Sequence, residues 1–174
     1  ETQSGETSVN VGYISMRAEV NIAGQVNLDS LKKFEISTTN LSGQFEPAKG
    51  SLKLELLKAP SQTYLNRYWD KPDRHSMTEA EFKKAFPQFA FSNEDEQQNW
   101  PVERSIFNEN WDTEKSKEVI LPKVKLNAGW YVLTLTTQDK FGEKIEVKKY
   151  FSGYDLSDKA LPQPTEMLHL LTKQ

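Results

Sequence analysis

The chain has 174 residues, 36 % of them apolar and 11 % aromatic, and a formal net charge of −3 from 22 basic and 25 acidic side chains. That near-balance gives no case for a nucleic acid or an anionic membrane surface as partner, since both call for a concentrated basic patch. There is no cysteine, which excludes disulfides, thiolate nucleophiles and thiolate metal sites, and no apolar run approaches the ~20 residues of a membrane-spanning helix.

The length suits one domain with a real core. The chain starts at Glu1 rather than Met, which leads us to expect a processed chain or a piece of a longer one. Residues 1–8 are polar and read as a flexible N-terminus. From Tyr13 a strand pattern begins, with Ile14, Met16, Ala18, Val20 and Ile22 on one face and Tyr13, Ser15, Arg17, Glu19 and Asn21 on the other. Gly24 breaks it. Lys33 to Leu41 alternates again, Phe34, Ile36 and Thr38 against Glu35, Ser37 and Thr39. Leu52, Leu54 and Leu56 follow, and Pro60, which has no N–H for a ladder, ends that strand.

The stretch from Ser61 to Lys117 is irregular and aromatic, and it reads as an insertion over about 61–117. It holds one helix, expected over Thr78 to Phe86. Thr78 and Glu81 have capping-box spacing, and Phe82, Ala85, Phe86 and Phe89 follow at helical intervals. Pro87 predicts that the helix stops before Phe89 and that this ring docks from a loop. Val102 to Phe107 and Glu118 to Pro122 read as further strands. The most regular stretch comes last. Tyr131, Leu133 and Leu135 alternate with Val132, Thr134 and Thr136, and Ile145 and Val147 with Glu146 and Lys148. Asp139 and Gly142 bracket the reversal between them, where glycine supplies a positive φ. Period-two alternation in β-branched and aromatic residues marks half-buried strands. The sum is an all-β, antiparallel Ig-like sandwich of about seven strands with one helical insertion, spanning 9–155. Residues 156–174, with Pro162 and Pro164 before Met167 to Leu171, read as a linker and the start of a following domain.

Candidate chemistry is sparse. His75 and His169 are the two histidines. His75 lies in a polar loop beside Asp73 and Ser76, but sequence neighbours rarely take triad geometry, and no Gly-x-Ser-x-Gly elbow is present. Glu94, Asp95 and Glu96 form a carboxylate run without the spaced ligands and glycine turn of a calcium loop. Asn40-Leu-Ser42 matches a glycosylation triplet, which is common by chance. Tyr64, Tyr68, Trp69, Trp100 and Trp111 are either sugar-binding platforms or a secondary core beneath the insertion; area burial favours core or interdomain contact.

Three groups of residues resemble a known family. Asn40-Leu-Ser-Gly-Gln44 followed by Gly50-Ser-Leu-Lys-Leu-Glu-Leu56 and Pro60 resembles the early strands of a macroglobulin-like domain. Trp69-Asp-Lys-Pro-Asp73, with Glu81-Phe82 and Phe86-Pro87, is similar to an insertion in alpha-2-macroglobulin-like proteins of Bacteroides-type bacteria. Ala128-Gly-Trp-Tyr131 and Asp139-Lys-Phe-Gly142 are similar to the closing hairpin of these domains. The resemblance spans roughly residues 10 to 155. It implies a macroglobulin-like sandwich within a modular, periplasmic or cell-surface protein that traps proteases, with sister domains of the same chain as partners. Thioester-bearing members use a Cys-x-x-Gln motif that this chain lacks, so no site residue carries over. The expectation is a monomeric, non-enzymatic module with no catalytic, cofactor-binding or metal-ligating residue. The alternative is a carbohydrate- or protein-binding sandwich of a cell-surface complex. Exposure of Trp69, Trp100 and Trp111 separates the two.

Overall fold

The computed structural model describes residues 14–67, 69–71, 74 and 76–155. The expected N-terminal tail, Tyr13, Tyr68, Asp73, His75, His169 and the linker with Met167 to Leu171 lie outside the described residues. Eight strands form two sheets, one of three strands in the order β1-β3-β6 and one of five in the order β2-β8-β7-β4-β5. The strands are β1 (Met16–Asn21), β2 (Gln25–Asn27), β3 (Lys33–Asn40), β4 (Lys49–Leu57), β5 (Val102–Asp112), β6 (Glu118–Ile120), β7 (Gly129–Gln138) and β8 (Lys144–Tyr154), with one helix, α1 (Glu79–Ala85), between β4 and β5.

The alternation read from the sequence is the alternation of burial. In β1, Met16, Ala18 and Val20 face the core, and in β3 Phe34, Ile36 and Thr38 do. In the larger sheet Leu52, Leu54 and Leu56 of β4 stand opposite Leu135, Leu133 and Tyr131 of β7. Directly paired residues share a face, so these six form one apolar wall. The smaller sheet closes over that wall, and Phe34 stacks on Phe107 of β5 with ring centroids 6.1 Å apart. Tyr131 stacks on Phe151 of β8 at 5.3 Å. Its hydroxyl donates back to the carbonyl of Asn127, four residues upstream. This is the geometry of a tyrosine corner, which pins the start of a sandwich strand to its own loop.

Two features differ from the sequence reading. An eighth strand, β2, follows the break at Gly24 and runs parallel to β8, pairing Gln25 to Asn27 with Ser152 to Tyr154. Three residues carry too little alternation to register as a strand; the pairing with β8 makes it one. The second correction is the insertion's C-terminal limit. β5 runs for eleven residues and pairs with β4 along its whole length, with register shifts at Leu54/Glu55 and Leu56/Leu57. It is therefore a sandwich strand, and the insertion ends before Val102. Val102 to Phe107 reads as a strand in the sequence, but the polar residues that follow hide its continuation to Asp112, because an edge strand buries few side chains.

Trp111 near the end of β5 belongs to the core and rests on Gly50 of β4. A Cβ at residue 50 would lie 2.0 Å from the Thr136 carbonyl oxygen and 2.9 Å from the Trp111 ring. Only glycine allows that approach.

Candidate functional site

The insertion is the part of the molecule with a surface of its own. Helix α1 is built as its sequence implies. The Thr78 hydroxyl accepts from the Glu81 backbone N–H at 3.3 Å, and the Glu81 carboxylate accepts from the Thr78 N–H at 2.9 Å. The bonds that the carboxylate accepts from the Thr78 N–H and, at 2.8 Å, from the Thr78 hydroxyl hold the Glu81 carboxyl below its usual value. The helix ends at Ala85, ahead of Pro87, and Phe89 docks from the turn beyond it and is buried. No helical residue is fully buried. The apolar stripe instead faces a cluster of rings: Phe82 lies 5.3 Å from Phe86 and 5.5 Å from Phe91, and Trp69 lies 5.0 Å from Phe89.

Four buried apolar residues lie outside the main core: Leu57, Phe89, Ala90 and Val132. Leu57 pairs with Trp130, and Trp130 and Val132 are on the outer face of β7, away from Tyr131 and Leu133. Trp100 meets Trp130 edge-on at 5.5 Å, and its indole N–H donates to the Glu94 carbonyl at 2.8 Å. The insertion thus folds onto the outer face of the five-stranded sheet. That is why Val132, expected among outward-facing residues, is buried.

The carboxylate run braces the insertion. Lys71 bridges Asp95 at 3.5 Å and Glu96 at 3.1 Å, and Lys83 pairs with Glu79 and with Glu94 at 3.7 Å. The bond from Lys71 holds the Glu96 carboxyl below its usual value. Partial burial raises the Glu94 carboxyl, and backbone N–H donors, with the nearby Lys83, outweigh it and leave the group lowered. Exposed pairs of this kind contribute little each, because solvent screens them and holding two long side chains costs entropy. Among the described residues no group of three His, Asp or Glu side chains is arranged to hold a metal ion. Ser76 is exposed. Asn40 uses its side chain locally, accepting from the N–H groups of Ser42 and Gln44, each at 3.0 Å.

The tryptophans divide. Trp111 is core, Trp100 is the joint between insertion and sheet, and Trp69 is 46 % exposed. Trp69 rims a small pocket of about 220 Å³ lined by Arg67, Trp69, Ser76, Met77, Phe82, Phe86 and Phe91. Arg67 was not singled out in the sequence. A cation flanked by Tyr64, Tyr68 and Trp69 was the available signal, since guanidinium groups stack on rings. Its guanidinium lies 5.1 Å from the centroid of the Phe82 ring and donates to the carbonyls of Ala90 and of Phe91, the latter at 3.0 Å.

A larger open cleft, about 1120 Å³, lies between the ends of β4 and β5 and the edge strand β6. Most of its charges are paired: within the lining Asp112 takes Lys49 at 3.2 Å and Lys115 at 3.9 Å, and outside it Glu146 takes Lys144 at 2.8 Å and Lys33 takes Glu118.

At the other end of β7 from Tyr131, Asp139 clasps the two sheets together. It is buried and accepts from the backbone N–H and hydroxyl of Ser15 at 3.0 and 2.9 Å, and from the N–H groups of Phe141 and Glu143 at 2.8 and 3.0 Å. The bonds from Ser15, with those from Glu143 and Phe141, lower its carboxyl to about 2. Gly142 completes the turn at φ 87°.

Comparison with known proteins brings no relative to bear on this geometry: no family model, curated protein or solved structure matches the chain.

Proposed function

We propose that the chain is a non-catalytic structural module of a larger protein of the alpha-2-macroglobulin type, one sandwich in a series. One observation carries the reading. β1 starts beside Asp139, at the end of β7, and β8 finishes opposite Gly129, at its beginning. Entry and exit are therefore separated by the ten residues of β7, roughly 33 Å of extended chain. A sandwich entered at one end and left at the other suits end-to-end linkage of modules. Exposed apolar residues are found at both ends, Ile14 and Phe141 at the first and Tyr154 at the second, as contacts with sister domains require. The parent protein, periplasmic or at the cell surface, engages proteases; this module gives it span and spacing.

The test has two arms. The fragment is incubated with a panel of proteases, following one small peptide substrate and one large protein substrate. Both activities should persist, because trapping by enclosure takes several domains. Stoichiometric loss on the large substrate alone, with the small one spared, would overturn the reading. In the second arm the fragment is extended by the flanking codons of its gene and measured by small-angle scattering. The maximum dimension should grow by about one strand length per added module. Added sequence that packs back alongside this sandwich without lengthening the particle would contradict the serial arrangement.

A further inference from the structure

β8 runs for eleven residues, and β2 pairs with its last three only. The bonding side of each residue follows from the hairpin turn and from β2. The Asp139 N–H donates to the Glu143 carbonyl, so odd-numbered residues of β8 face β7. On the other side the Ser152 N–H donates to the Gly24 carbonyl, and the Tyr154 carbonyl accepts from the Leu28 N–H, both at 2.9 Å. Alternate residues of an antiparallel strand send both backbone groups the same way. Lys144, Glu146, Lys148 and Tyr150 therefore turn their N–H and C=O groups toward an edge where no described residue takes them.

Such a row of groups is a template for one more strand. Its charge decides which. Lys144, Lys148 and Lys149 are exposed along this stretch against one carboxylate, Glu146, which takes Lys144 at 2.8 Å and Lys148 at 3.2 Å. Lys149 stands opposite the fully buried Leu133 yet is itself exposed, so its side chain runs out at the edge instead of into the core. A chain with a net charge of −3 thus carries a basic strip here. A second copy would lay a like strip against it, and like charges along a shared seam oppose that pairing. Lys144 and Lys148 share one face of the strand, and Ile145 and Val147, buried and half-buried, share the other.

We infer that this edge takes an extended polypeptide segment as an added antiparallel strand, with acidic residues four positions apart opposite Lys144 and Lys148 and apolar residues opposite Ile145 and Val147. Main-chain hydrogen bonds supply the affinity, and the lysines select the partner. This inference rests on the β8 edge and holds whether or not the chain is a serial module.

The probe is acetyl-Glu-Val-Thr-Val-Glu-amide, titrated into the protein while amide exchange with solvent is followed by NMR. Exchange at Lys144, Glu146 and Lys148 should slow saturably, about tenfold at ten times the dissociation constant. Leu133, mid-strand in β7, is the reference and should not change. Acetyl-Lys-Val-Thr-Val-Lys-amide should give no protection. N-methylation of the central threonine should abolish binding, because antiparallel pairing aims that amide at the Glu146 carbonyl. The double variant Lys144→Glu, Lys148→Glu should prefer the lysine peptide, with Leu133 exchange unchanged. Unslowed exchange at all three amides with saturating acidic peptide would overturn the site and leave the lysines as guards of an unused edge. Equal protection by both peptides in the unaltered protein would overturn the selection by charge. Undiminished binding of the N-methyl peptide would overturn strand addition. Protection that grows with protein concentration in the absence of peptide would give the edge to a second copy and overturn the acidic partner.

Discussion

Leu133 and Asp139 are two residues of one strand-turn unit with opposite chemistry and comparable structural weight. Leu133 is fully buried at the centre of β7, between Leu54 on β4 and the β8 ladder. Leu133→Ala should cost about 2–5 kcal/mol through lost transfer energy and the cavity left behind, read as a fall in the urea midpoint at unchanged slope. An unchanged midpoint would show that the core face is elsewhere. Asp139 acts through its charge. Its carboxyl is lowered from 3.8 to about 2 in the folded chain, so the folded state holds the carboxylate form more tightly than the unfolded state does. The stability it contributes is fully present above about pH 4 and is lost as pH falls toward about 2. Asp139→Asn should lower the midpoint at pH 7 and flatten its decline between those two values, measured by urea titration at a series of pH values. A variant with the same acid limb as the parent would place the sensitivity in other carboxylates.

Among the elements, α1 is the one whose existence depends most on its ends. Seven residues are too few for a stable isolated helix. The reciprocal Thr78–Glu81 cap and the packing of Phe82 and Phe86 on neighbouring rings hold it. Thr78→Ala should cost about 1 kcal/mol locally, seen as faster amide exchange across 79–85 with the sandwich amides unchanged. If exchange in β7 rose equally, the insertion and sandwich would unfold as one unit. β5 is the opposite case, an edge strand whose register is enforced by β4. Its two register shifts and its Glu103, Arg104 and Glu109 side chains interrupt the flat, apolar edge that would invite a further strand.

For the whole molecule, the boundary at the end of β8 is the exposed question. The main core is complete with Phe151, and the tyrosine corner and the β2 pairing close the sandwich by Tyr154. Deleting residues 160–174 should leave a single cooperative unfolding transition with the same midpoint, by circular dichroism on heating. Loss of the folded state on deletion would place part of that segment in the core. No helix among the described residues is long and apolar enough to cross a membrane.

The strands β1, β3, β4, β6, β7 and β8, the start of β5, the capped helix and the Asp139–Gly142 turn were legible from residue order alone. Each depends on neighbours a few positions away: alternation at period two, a hydroxyl three residues before a carboxylate, a glycine at a reversal. Everything that needed a distant partner was decided by the tertiary structure. β2 is a strand because β8 lies beside it, and β5 belongs to the sandwich because β4 lends it a register. Val132 is buried because the insertion folds over the outer face. Trp111, Trp100 and Trp69 are the same residue type in similarly polar surroundings, yet one is core, one is a joint and one rims a pocket. The residue type carries the hydrophobic area, and only the contacts made across long sequence separations determine which of that area is covered.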